Sequence, residues 1–201
     1  PSDYSLSMSG ASLRRPESLI TARLYLENHD WKQARRQIID DDFYQLNAVS
    51  SRKRISGELI KRLSRLTDNE LSFLIDSYGD DQNAMFWVAI CRTYQFVSDL
   101  SVNVIVDRYS RSISEYTVGA FEQFFDEQSA VHPELGKLSK LGHDKMRNTV
   151  FRLLVECRLV SQQGIQQHGK ITPLYISEPF REALDPERAQ QDIALFPGVM
   201  L

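Results

Sequence analysis

Apolar positions recur at helical spacing through most of the chain. Pro16 suits the first turn of a helix carrying Leu19, Ile20 and Leu24, which Asn28, His29 and Asp30 interrupt. Asp30 is placed to cap a second helix running through Trp31, Ala34 and Ile38. Ser50 and Ser51 are candidate caps for a third, in which Ile55, Leu59, Leu63 and Leu66 make one apolar stripe. Thr67 and Glu70 read as a capping box, opening a helix with Leu71, Leu74 and Ile75 that stops at Gly79. From Gln82 to Phe96 apolar side chains, among them Met85, Phe86, Trp87, Ile90, Cys91 and Tyr94, run almost all the way round, which marks a central buried helix. Residues 100–109, carrying Val102, Ile105 and Val106, continue helically or form a turn-linked partner helix. Ahead of all these, the alternation of Tyr4, Leu6 and Met8 fits a short strand or an ordered arm.

The last third changes character. Ser112 and Glu115 form a second capping box before a helix with Val118, Phe121, Phe124 and Phe125. Pro133 can open a short helix over 134–140, Gly142 marks a tight turn, and Asp144 can cap a longer helix over 144–157. A Gln-rich polar stretch and the β-prone run 171–176 then predict a hairpin over 159–176, followed by a short helix and a polar tail. Helix, short helix, turn, long helix and hairpin is the order of a winged helix-turn-helix. The expected fold is therefore mainly α: an N-terminal helical bundle over 1–110, a winged helix-turn-helix with a small β-hairpin wing over 111–185, and a tail over 186–201. Helices 31–41 and 51–66 would make a second helix-turn-helix around 31–66, although the connection between them is long for such a turn.

Composition narrows the chemistry. With 201 residues, 42% hydrophobic and 25% charged, the chain is globular, large enough for one domain or two small ones. Cys91 and Cys157 stand far apart without a CxxC, so neither a disulfide framework nor a cysteine zinc site is expected. The longest apolar run, Ala84 to Cys91, is far short of the roughly 20 residues of a membrane span, and no basic-then-apolar leader is present. A reduced, soluble, cytoplasmic protein without a membrane partner is expected. His29, His132, His143 and His168 show no HxxxH or HExxH spacing, and Asp40-Asp41-Asp42 lacks the spacing of a calcium loop. GxxxxGK[ST], GxGxxG and GxSxG do not occur. The expectation is no cofactor, no metal, no catalytic residue and no enzymatic activity.

Net charge is −3, but it is unevenly placed. Residues 14–66 hold 12 Lys/Arg against 7 Asp/Glu, residues 67–135 hold 3 against 12, and residues 136–183 hold 8 against 4. Two basic segments flank an acidic middle, the pattern of a polyanion binder. On the long helix, Met146, Val150, Leu154 and Cys157 face inward, while Lys145, Arg147, Asn148 and Arg152 offer long donors, with His143 at the turn. Arg can bridge guanine O6 and N7, and Asn can bridge adenine N6 and N7. His168 and Lys170 fall at the wing. Arg52, Lys53 and Arg54 start the third helix, where a helix N-terminus favours phosphate, and Lys61, Arg62 and Arg65 follow, with Arg35 and Arg36 on the helix before. Solvated cations on amphipathic helices are the plain alternative.

Ser50-Ser51-Arg52-Lys53-Arg54, Glu58-Leu59-Ile60-Lys61-Arg62-Leu63 and Leu66-Thr67 resemble the BrxA family of bacteriophage exclusion (BREX) systems. So do Cys91-Arg92-Thr93-Tyr94, Lys145-Met146-Arg147, Arg152-Leu153-Leu154 and Leu159-Val160. The resemblance spans the whole chain and implies a non-enzymatic accessory protein with other BREX components as partners. It brings no catalytic residues. The family's described similarity to the helical RNA-binding factor NusB adds RNA as a ligand class. Double-stranded DNA binding, with basic helices gripping phosphates and the major groove, is the expected function; a protein–protein adaptor and NusB-like RNA binding are the alternatives.

Overall fold

The computed structural model describes Tyr4 and residues 11–200; the strand or arm expected at Leu6 and Met8 lies outside the described residues. Helix α1 (Arg15–Asn28) carries Pro16 in its first turn, where the missing N–H has no partner to lose. Asp30 caps α2 (Trp31–Asp41), its carboxylate accepting the Lys32 and Gln33 amides. In α3 (Val49–Leu63) the cap position falls to Ala48, which makes no side-chain bond, so Ser50 and Ser51 sit inside the helix. These three helices close on a small core of their own: Leu24, Ala34, Ile38, Tyr44, Ile55 and Leu59.

The reciprocal Thr67–Glu70 box opens α4 (Asp68–Asp76). Gly79 does not end that helix; at φ +61° it begins α5 (Gly79–Thr93). The near-continuous apolar surface of α5 puts it at the centre, buried on all sides. It leads through α6 (Gln95–Leu100) and a π-helical turn (Ser101–Val106) to α7 (Asp107–Ser110).

Strand β1 (Glu115–Tyr116) stands where a second capping box was expected. Thr117 caps the following α8 (Val118–Ser129) by accepting the Ala120 amide. A 3-10 turn (Leu135–Lys137) leads into α9 (Lys140–Glu156). Ser139 caps α9, accepting the Gly142 amide, so Gly142 and Asp144 lie within the helix instead of before it. β2 (Val160–Gln162) and β3 (Gly169–Ile171) form an antiparallel hairpin, and β1 joins it on the β3 side, giving the order β1-β3-β2. Lys170 lies opposite both Ser161 and Glu115. Gly169 is required by space: a Cβ there would stand 2.5 Å from the Ser161 carbonyl oxygen.

α10 (Glu178–Ala183) and α11 (Ala189–Ile193) bring the C-terminus back over α4 and α5. Residues expected as a polar tail are packed: Ile193, Leu195 and Phe196 are buried. Asp192 joins Glu70 around Arg92, whose Nη2 lies 2.6 Å from Glu70 and 2.7 Å from Asp192, all three side chains nearly inaccessible. The main core cluster draws residues from Tyr4 to Phe196 and takes in the inner face of α9. The mainly helical class holds, with one small three-stranded sheet. Among the described residues no helix is long and apolar enough to cross a membrane.

Candidate nucleic-acid interface

The two faces of α9 divide as its sequence pattern dictates. Met146, Val150, Leu153 and Leu154 are buried, and so is Cys157 just beyond the helix. Lys145, Asn148 and Arg152 are exposed, and spacings of three and four residues put them on one face. Leu141, one turn before Lys145, extends the same stripe and is 79% exposed. On the neighbouring sheet Lys170 is also exposed. The hairpin leans over the stripe, because the Gln167 side-chain amide donates to the Asn148 side-chain carbonyl. Between them lies a cleft of about 300 Å³, lined by Asn148, Phe151, Arg152, Val155, Glu156, Gln162 and Gln167.

Arg147 points elsewhere. Its Nη1 is 2.6 Å from Glu122 of α8 and its Nη2 is 3.3 Å from Asp144, so its charge is spent on joining two helices. His143 is 2.7 Å from the same Glu122 and stacks on Phe125 at 4.1 Å between ring centres. His168 is half-buried, 3.5 Å from Glu115. Asp144, whose charge would repel a phosphate at a helix start, is instead directed at Arg147 within α9.

The cations of α3 split in the same way. Lys53 and Arg54 are exposed. Arg52 is not a phosphate donor as placed: it donates to the carbonyls of Ile39 at 2.5 Å, Leu46 at 2.7 Å and Asn47 at 3.1 Å, and lies 3.2 Å from Asp42. It ties the α2–α3 connection together. Arg62, expected at the DNA surface, is withdrawn as well: it is 3% exposed, donates to the carbonyls of Ala11 at 2.7 Å and Ser12 at 2.9 Å, and pairs with Glu58 at 3.4 Å. Lys61 lies over the Tyr94 ring, 4.9 Å from its centre, and the Tyr94 hydroxyl donates to Glu58. Arg35 is drawn onto α3, donating to the Lys53 carbonyl and the Ser56 hydroxyl. Arg36 and Arg65 stay exposed.

Residues 11–15 form a strap between α3 and the end of α9. Arg62 holds its carbonyls, the Leu13 amide donates to the Glu156 carboxylate at 3.1 Å, and Arg15 donates to the Glu156 carbonyl, Gln82 and Asn83. Burial pushes Glu156 above the ordinary carboxylate range against the pull of that bond and three arginines. Sequence reading missed Leu141, Gln167 and Glu122. Glu122 could not be found from spacing, since it reaches Arg147 from another helix. Leu141 had a signal: it breaks the inward apolar register of α9.

A profile of the BrxA family matches residues 2–187. The chain is similar to the BREX protein BrxA of Escherichia coli O9:H4 (strain HS), 22% identical over 92% of this chain and 84% of that protein. Its fold is similar to the crystal structure of an uncharacterized protein from Magnetospirillum magneticum, with a TM-score of 0.81 and 21% identity over 96% of this chain and 97% of the other.

Proposed function

The chain belongs to the BrxA family, which makes it a component of a BREX system, and from that premise we propose that it serves there as a non-enzymatic binder of double-stranded DNA. In this reading β1, α8, α9 and the β2–β3 hairpin act as a winged helix-turn-helix. α9 enters the major groove and the hairpin follows the phosphate backbone. One observation carries it: the stripe Lys145, Asn148 and Arg152 faces outward along a 17-residue helix whose opposite face is fixed in the core. A strand order with β3 between β1 and β2, and Lys170 on the exposed side, agrees with that arrangement. Lys145, Arg152 and Lys170 grip phosphates or guanine edges, and Asn148 meets adenine once Gln167 lets it go. Lys53 and Arg54, with Arg36, supply a second group of phosphate contacts on α2 and α3.

A protein partner among other BREX components is the second reading. It is favoured by the exposed rings of Tyr78 and Tyr175 beside Asp76 and Asp80, at a cleft of about 440 Å³. The test is a fluorescence-anisotropy titration of labelled duplex with the wild type and the Lys145→Glu/Arg152→Glu variant. Binding by the wild type and its loss in a variant with unchanged melting temperature is the expected result. Duplex affinity that survives both reversals refutes the assigned surface. Single-stranded RNA that displaces duplex at equal concentration would transfer the function to RNA.

A further inference from the structure

Leu141 stands out on the proposed interface. It lies in the first turn of α9, 79% exposed and outside both core clusters, between Lys140 and Lys145. The other long aliphatic side chains of α9 up to Leu154 are buried. Spacings of four, three and four residues put Leu141, Lys145, Asn148 and Arg152 on one face, with Leu141 at its N-terminal end. That end of a recognition helix is the part that meets base edges, while its flanks meet the backbone. A leucine gains nothing from a phosphate. The apolar group that base edges present in the major groove is the C5-methyl of a pyrimidine.

We infer that Leu141 reads pyrimidine C5-methyl groups in the major groove, so that the protein prefers duplex tracts carrying thymine over the same tracts without the methyl. The inference rests on the DNA-binding reading above. 5-Methylcytosine presents the same methyl at the same ring position, so it is the second source of this chemistry.

The experiment measures affinity for duplexes that differ only in methyl groups: thymine against uracil, and 5-methylcytosine against cytosine. Wild type should bind the thymine duplex about fourfold more tightly than the uracil duplex for each methyl met, the effect of burying one such group. A similar gain is expected from cytosine to 5-methylcytosine. Leu141→Ala should keep its melting temperature and lose both preferences, binding the two members of each pair with equal affinity. Equal wild-type affinity within each pair overturns this inference and leaves DNA binding standing. A methyl preference that persists in Leu141→Ala also overturns it, since another residue then does the reading. Failure to bind any duplex removes the DNA-binding reading itself.

Discussion

Replacing Arg62 by methionine separates a structural cation from a DNA-contacting one. In the fold Arg62 donates two charge-assisted bonds to the carbonyls of Ala11 and Ser12, and it pairs with Glu58, itself only 6% exposed. Methionine fills much of the same volume but removes the charge. Glu58 keeps the Tyr94 hydroxyl as a donor, yet it loses its ion pair with Arg62 while staying buried. Breaking a buried pair from one side costs about 3–5 kcal/mol. For a chain of this size each kcal/mol moves the melting temperature by about 2–4 °C, so a fall of about 6–20 °C is expected by circular dichroism. Duplex affinity, measured well below that midpoint, should stay within about twofold of wild type. Exposed Lys53 supplies the contrast: Lys53→Ala should change stability by no more than about 0.5 kcal/mol while weakening DNA binding. An Arg62→Met protein that melts like wild type but binds DNA tenfold less tightly would refute the reasoning, because the side chain would then be turned out to the ligand.

Two further outcomes follow from the core and the hairpin. Burial pushes the Glu70 carboxyl up, but Arg92 and the amides of Thr67 and Asp185 together hold it below its ordinary 4.5, so its stabilisation is full above that value and lost as pH falls through the lowered one. Asp192 is opposite in sign, since burial holds it above its ordinary value and acid relieves that penalty. Glu70→Gln should therefore be less stable than wild type at neutral pH, and in urea melts the gap should narrow as pH drops below 4.5; a gap constant with pH contradicts the assignment. Gly169→Ala forces a Cβ against the Ser161 carbonyl and Val160, so it should lower stability by about 1–3 kcal/mol and, by shifting Lys170, reduce the log–log salt slope of DNA binding by about one. Unchanged melting and slope would show that the hairpin takes no part.

Local signals were legible wherever a residue's partner is near in sequence. Asp30 and the Thr67–Glu70 box needed only neighbouring amides, and the inward stripe of α9 follows from helical period alone. Ser139 carried a signal too: three residues before Gly142, it caps α9 by accepting the amide of that glycine, which lies inside the helix. The cations were harder. Spacing marks Arg52, Arg62 and Arg147 as long donors on helices, but their partners sit outside those helices' own period: Arg52 turns back to the loop before α3, Arg147 reaches α8, and Arg62 reaches residues 50 and 51 positions away. Only the Glu58–Arg62 and Asp144–Arg147 spacings hinted that those charges have partners at home. Lys53, Arg54, Lys145, Asn148, Arg152 and Lys170 keep their exposure, while His168 is half withdrawn towards Glu115.

The salt dependence of duplex affinity in wild type and in Lys145→Ala/Arg152→Ala tests the outward face of α9 most directly. If both cations neutralise phosphates, the double variant's slope of log affinity against log salt should be shallower by about 1.8, at about 0.9 per phosphate. An identical slope in the two proteins would mean that DNA is held elsewhere or not at all.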